Sequence, residues 1–272
     1  MALADDFDGF LIDLDGVVWI GREPIAGSAE ALAALLAAGK ELVFVTNNPA
    51  RPPQRYAERL RGMGVEVGAE RIVTAGMVTA RLAGAAAAGG SAFVIGEESI
   101  KQMVVAAGAT VLDAESGGDA DVVVVSGHRG FDYAELLAAK QALDGGAALF
   151  ATSHDPTMPM PGGEWPGTGS ILAAVETASG KTAEIGGKPE RHLFELAIDV
   201  ICGSKRTDGV PKEPRDGRLA MVGDRISSDI DGGRAAGLAT VLVLSGTSSR
   251  ADAEAAEPAP DHVLASLAGL LR

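Results

Sequence analysis

Short runs rich in β-branched residues alternate with Ala- and Leu-rich stretches along all 272 residues, and this alternation restricts the fold more than any other feature. Strands are expected from Gly9 to Leu14, Glu41 to Val45, Ala92 to Ile95, Asp121 to Val125, Ala148 to Ala151, Leu219 to Val222 and Thr240 to Leu244. Several are unbroken apolar runs of the kind covered on both faces in a parallel sheet. Apolar residues recur at helical spacing from Ser28 to Ala38, Tyr133 to Leu143, Thr168 to Ala178 and Pro189 to Ile201. Gly39 and Gly180 stand where C-terminal caps belong. Strand, helix and strand repeated this often predict an α/β fold.

The length is about that of two domains. No fixed-period repeat and no low-complexity linker divides the chain, so a second domain would have to be inserted. Two segments read as loops, Gly162 to Gly167 and Gly203 to Gly217, both rich in Gly and Pro. Hydrophobic residues at 47% and charged residues at 22% suit a folded globule. The formal net charge of −14 lacks the basic footprint that nucleic-acid binding requires. A phosphorylated ligand would need local cations or a metal to offset that field. The single cysteine, Cys202, cannot form an internal disulfide, which fits a reducing cytoplasm. The Ala-rich stretch from Met77 to Gly90 is too short to span a membrane and is interrupted by Arg81. The acidic N-terminus has neither the charge nor the apolar core of a signal peptide. Neither a membrane nor a nucleic-acid partner is expected.

Polar residues cluster where apolar strands stop. Asp13 and Asp15 abut the first strand and are followed by Gly16. A strand-ending turn uses Asp and Gly too, but two carboxylates at a buried strand end need a partner or a purpose. Thr46, Asn47 and Asn48 end the second strand, as anion donors or as an ordinary turn or cap. Asp224 follows the Leu219 to Val222 run, with Asp229 and Asp231 close behind, and helix capping is the competing reading for Asp229. Lys188 sits between a glycine pair and a proline, a place where a lysine is otherwise simply solvated. The combination discriminates. In open α/β sheets the ligand crevice lies along the carboxyl ends of the strands. Asp13, Thr46, Lys188 and Asp224 would all reach it. Carboxylates without a His/Cys cluster suit Mg²⁺ rather than zinc. Metal, ammonium and hydroxyl together meet the needs of a transferring phosphoryl group.

DLDGVV (13–18), FVTNN (44–48), GGKP (186–189) and GDRISSDI (223–230) resemble, in order, the four motifs of the haloacid dehalogenase superfamily. VVVVSGHRGFDYAEL (122–136), ATSHDPTMPM (151–160) and PGTGSILAAVE (166–176) resemble the cap of its NagD-like subgroup. The resemblance implies a Rossmann-like parallel-sheet core, residues 1–78 and 184–272, with an inserted α/β cap of the C2 type, residues 79–183. It implies an Mg²⁺-dependent phosphatase of small phosphorylated metabolites: sugar, glycerol, glycolate or nucleotide phosphates. Asp13 then resembles the nucleophile that becomes an aspartyl-phosphate, and Asp15 the general acid. Thr46 and Lys188 resemble the phosphate binders, with Asn47 assisting through its backbone amide. Mg²⁺ would sit on the Asp13 carboxylate, the Asp15 main-chain carbonyl and Asp224, with Asp229 orienting its waters. A homodimer through the cap is the protein partner that the resemblance raises.

There are departures. Ser228 stands where the subgroup usually has Thr, and a hydroxyl is kept. Ser153 replaces Asn and Met158-Pro159 replace Phe-Pro in the ATNxDPTFP pattern, which bears on substrate choice. The Gly203 to Gly217 loop is longer than expected. In the cap, His154 and Asp155 are the candidate substrate contacts, on a loop stiffened by Pro156, Pro159 and Pro161; the competing reading of Asp155 is a turn with Pro156. His128, His192 and His262 lack motif context. A halide-releasing hydrolase on the same fold is the rival enzyme, but it needs no acid at Asp15. A non-enzymatic receiver domain would be smaller and capless. A phosphate-ester binding module would not need the full catalytic set.

Overall fold

The computed structural model describes residues 2–49, 51–160, 162–203 and 218–272, so residues 204–217 of the expected Gly203 to Gly217 loop lie outside the described residues. The chain forms two parallel sheets. The first has six strands in the order His262–Leu264, Ala239–Val243, Leu219–Gly223, Gly9–Asp13, Glu41–Thr46 and Ile72–Thr74. The second has five, in the order Glu184–Ile185, Ala148–Ala151, Val122–Val125, Ser91–Ile95 and Thr110–Leu112. All seven expected strands form, with ends within a residue or so. The four expected helices become Ser28–Ala37, Tyr133–Asp144, Thr168–Ser179 and Arg191–Gly203.

Both sheets are buried on both faces, which is why their strands read as continuous apolar runs. In the first sheet, Phe10, Ile12, Leu42 and Phe44 pack into one layer, while Leu11, Val43 and Val45 pack into the other with Phe194 and Ala197 of the Arg191–Gly203 helix. In the second, Ile95, Val123 and Val125 face Ala139 and Leu143, and Val94, Val122 and Val124 face Ala83 and Val104. The helix Ala75–Ala87 joins the two. Its first turn, Ala75 and Val78, belongs to the first sheet's core, and Ala80, Ala83 and Ala87 belong to the second's. The chain returns just after Ile185, the end of a strand paired with Phe150 and Ala151 of the second sheet.

One expected loop is partly a strand. Gly163–Pro166 pairs antiparallel with Thr157–Met160, placing Trp165 opposite Met158. Gly162 and Gly163, at φ 88° and 138°, make the connection. This ribbon buries no sheet face, so it has no apolar run for a sequence to display. Among the described residues no helix is long and apolar enough to cross a membrane.

Candidate active site

Leu219–Gly223, Gly9–Asp13 and Glu41–Thr46 lie side by side, so Asp224, Asp13 and Thr46 emerge from adjacent strands at one edge. Asp13 is the last residue of its strand and is buried, as are Asp224 and Asp229. Gly16 turns the chain away with φ 90°, and a Cβ there would stand 2.4 Å from Asp224 Oδ2. Only glycine satisfies both the backbone angle and that approach. Lys188 enters from the other sheet. Its Nζ lies 2.7 Å from Asp13 Oδ1 and 2.7 Å from Asp229 Oδ1, with 2% of its surface exposed.

Each acid is held differently. Asp229 Oδ2 accepts from the backbone N–H groups of Asp224 (3.1 Å) and Arg225 (3.0 Å). Asp224 Oδ2 accepts from Thr247 N–H at 2.6 Å. Asp15 accepts from the indole of Trp19 (3.1 Å) and the amide of Asn48 (3.2 Å). Trp19 is fully buried, with Arg59 3.8 Å from its ring centroid and Tyr56 stacked beside it. Thr46 Oγ1 accepts from Asn48 N–H.

One ammonium faces three buried carboxylates. Burial pushes Asp13 well above the usual carboxylate range, against the pull of Lys188 and reinforced by Asp229 and Asp224. Burial, then the charge of Asp229, pushes Asp224 up to about 6. Burial also raises Asp15, while its Asn48 and Trp19 donors work the other way. Burial opposes the charge on Lys188, yet Asp13 and Asp229 hold it above the ordinary lysine value. The site thus carries excess negative charge that a cation would relieve. Oxygens of Asp13, Asp224 and Asp229 lie within 4.8 Å of one another. An all-carboxylate donor set of that size suits a hard divalent ion such as Mg²⁺.

Asn47 serves through its side chain. Its Oδ1 accepts from Lys188 N–H at 2.7 Å, and its Nδ2 donates to the Lys188 carbonyl (2.9 Å) and to Asp155 Oδ2 (2.8 Å). Asp155 also accepts from Ser153 Oγ at 2.6 Å and lies 3.8 Å from Arg225 Nε. Asp155 therefore ties the second sheet's loop to two loops of the first, beyond the simple Asp-Pro turn. His154 is not brought to the site. It is exposed and does not line the cleft, because its neighbour Asp155 takes the inward position. Asp13, Asp15, Thr46, Asn47, Lys188, Asp155 and Asp224 line one cleft of about 1490 Å³, with Asp229 buried behind it. Sequence reasoning missed Trp19 and Arg225, and noted Ser153 only as a departure bearing on substrate choice, whereas its hydroxyl holds Asp155. Arg225 follows a proposed ligand directly and is the residue whose position could have flagged it. The cleft also gathers Arg51, Arg55, Arg59 and Arg129, local positive charge in an acidic chain.

A family model for haloacid dehalogenase-like hydrolases matches residues 10–110, and a second, HAD-hydrolase-like, matches residues 185–270. Rat chronophin (Rattus norvegicus) is 37% identical over 266 residues, covering 94% of this chain and 82% of its own. The crystal structure of a glycerol phosphate phosphatase from Mycobacterium tuberculosis in complex with magnesium superposes with a TM-score of 0.86 at 32% identity, covering 100% of this chain and 78% of that one. NagD from Escherichia coli K-12 gives a TM-score of 0.82 at 28% identity, covering 96% and 97%.

Proposed function

The chain belongs to the haloacid dehalogenase-like hydrolases, in the NagD-like subgroup, and from that premise we propose that it is an Mg²⁺-dependent phosphatase of small phosphate monoesters acting through an aspartyl-phosphate on Asp13. The observation that carries this reading is the Lys188 ammonium 2.7 Å from both Asp13 and Asp229, with Asp224 in the same carboxylate cluster. Asp13, Asp224 and the Asp15 carbonyl would hold the metal, with Asp229 behind them. When bound, the ion neutralises charge on the phosphoryl oxygens.

The chain's own groups supply the rest. Asp13 attacks phosphorus and the ester P–O bond breaks, leaving a phosphoryl–aspartate. Asp15, whose burial favours the protonated carboxyl, gives its proton to the departing alkoxide. It then takes a proton from the water that attacks the same phosphorus, releasing phosphate and restoring Asp13. Lys188 and Thr46 hold the phosphoryl oxygens while Asn47 fixes the Lys188 backbone.

In this reading the core is residues 1–78 and 186–272. The cap begins at residue 79 as expected but closes at Ile185, two residues beyond the expected end at 183, because Glu184–Ile185 pairs with Phe150 and Ala151 of the second sheet. The exposed Tyr133 and Leu137, one helical turn apart on its outer helix, suit a homodimer through the cap. The lone Cys202 suits a cytoplasmic setting. The test is release of inorganic phosphate from glycerol 3-phosphate and 4-nitrophenyl phosphate. Turnover should require Mg²⁺, vanish in EDTA and fall below detection in Asp13→Asn, whose amide is too weak a nucleophile. Activity in Asp13→Asn within about tenfold of wild type would exclude covalent catalysis, since enzymes supply about 10⁶-fold or more.

A further inference from the structure

Five large apolar side chains are exposed among the described residues, and only Trp165 of these lines the catalytic cleft. It keeps 39% of its surface open. The Arg129 guanidinium sits 4.4 Å from its ring centroid, holding the indole plane from a different loop. Trp165 lies directly across the ribbon from Met158, and Met160 shares that face two residues on. Phe131 lines the same cleft. The ribbon is anchored next to the reacting end: Arg225, which follows Asp224, donates from Nη2 to the carbonyl of Thr157 at 3.5 Å. Trp165 therefore stands one register step from a residue tied to the metal-binding loop.

The size of the cleft sharpens the point. At about 1490 Å³ it exceeds the roughly 300–1,000 Å³ that accommodates a drug-sized ligand. A cleft of that size has room for a leaving group larger than a three-carbon polyol, and Trp165 is part of its wall. A flat ring beyond the ester oxygen would cover it, and the indole with its stacked guanidinium offers an electron-rich face and a cation together.

Resting on the phosphatase reading, we propose that Trp165, braced by Arg129 and flanked by Phe131, Met158 and Met160, forms a stacking subsite for the leaving group. The preferred substrates are then phosphate monoesters of planar aromatic or heteroaromatic alcohols. A ring on this subsite contributes to the specificity for the ester without touching the phosphoryl group, which the core residues hold.

The experiment compares kcat/KM for 1-naphthyl phosphate and for glycerol 3-phosphate in wild type, Trp165→Ala and Trp165→Phe. Truncation to alanine should lower the ratio of aromatic to polyol ester by about fivefold or more, as expected for one lost stack. The phenylalanine variant, which keeps a ring, should retain most of that ratio. An unchanged ratio, or an equal fall for both esters, overturns the subsite. A binding measurement separates this from failure of the phosphatase reading. Calorimetry of 1-naphthyl phosphate and of inorganic phosphate with the Asp13→Asn protein reports the stack without turnover. Loss of affinity in Asp13→Asn/Trp165→Ala for the naphthyl ester alone supports the subsite, and equal affinities in the two proteins overturn it.

Discussion

The two sheets are built alike and end differently. Both are all-parallel and buried on both faces. The central strands of the first run out into Asp13, Thr46 and Asp224. Those of the second run out into Gly96, Ser126 and Thr152, neutral and small, with Thr152 and Ser126 bonded to each other at 3.4 Å. Same architecture, different edge chemistry: what sets the two edges apart is a handful of residues at strand ends rather than the sheet itself. The second edge contributes position instead. Through Asp155 and the glycine pair before Lys188 it holds parts of the first in place.

Changes at the first edge should strike the chemistry itself. Asp15→Asn should cost about 10²–10⁴ in kcat on alkyl phosphates, the range for a lost general acid. The loss should be smaller on 4-nitrophenyl phosphate, whose leaving group needs little protonation, so equal losses would break the contrast. Lys188→Met should lower kcat/KM for every ester by about 10²–10³, as for other lost oxyanion donors. In metal-free protein it should also cost about 3 kcal/mol, since the buried carboxylates lose the ammonium paired with them, and a urea titration reads this.

The metal gives a milder test. Because Asp224 is raised to about 6 in the folded chain, its charge is costly above that pH and is relieved by protonation below it. A bound divalent ion needs the carboxylate. The Mg²⁺-induced rise in Tm should therefore be full at pH 7.5 and decline as pH falls through about 6, with affinity dropping up to about tenfold per pH unit. A constant rise down to pH 5 would remove Asp224 from the metal site.

The smallest effect should come from the second edge. Asp155 already has Asn47, Ser153 and Arg225 as partners. Asp155→Ala should lower kcat/KM by about fivefold and evenly across phosphate esters, the signature of a positioning tie. A loss confined to some esters would make Asp155 a substrate contact and blur the division between the edges.

Much of this division is legible in the sequence because strands covered on both faces must be apolar throughout, and their ends show as abrupt polarity. Gly9–Asp13 and Leu219–Gly223 are found that way. Ile72–Thr74, Glu184–Ile185 and His262–Leu264 are not, being two or three residues long at or near sheet edges, where one neighbouring strand is enough. Sheet membership is also hidden: nothing local to Glu184–Ile185 says that it pairs with Phe150 and Ala151 rather than with the first sheet. The choice between His154 and Asp155 depends on which of two adjacent side chains turns inward. Trp19 lies six residues beyond Asp13, the end of its strand, and only the folded hairpin Trp19–Ile20/Glu23–Pro24 returns its indole to Asp15.

The return of the chain after Ile185 has a consequence for anyone exchanging parts between relatives. Gly186 and Gly187 pass so close to their neighbours that a Cβ would lie 2.3 Å from Thr79 Oγ1 and 2.2 Å from the Thr152 carbonyl. The thread through that gap ends at Lys188, whose ammonium meets Asp13 and Asp229. A transplanted second sheet must therefore bring a matching eyelet: a small residue facing Gly186, a carbonyl at the height of Thr152, and a seam cut between Ile185 and Lys188. A seam cut one strand earlier would split the pairing of Glu184–Ile185 and pull the lysine out of register with Asp13. The seam between the two sheets is thus also a tolerance on the proposed chemistry.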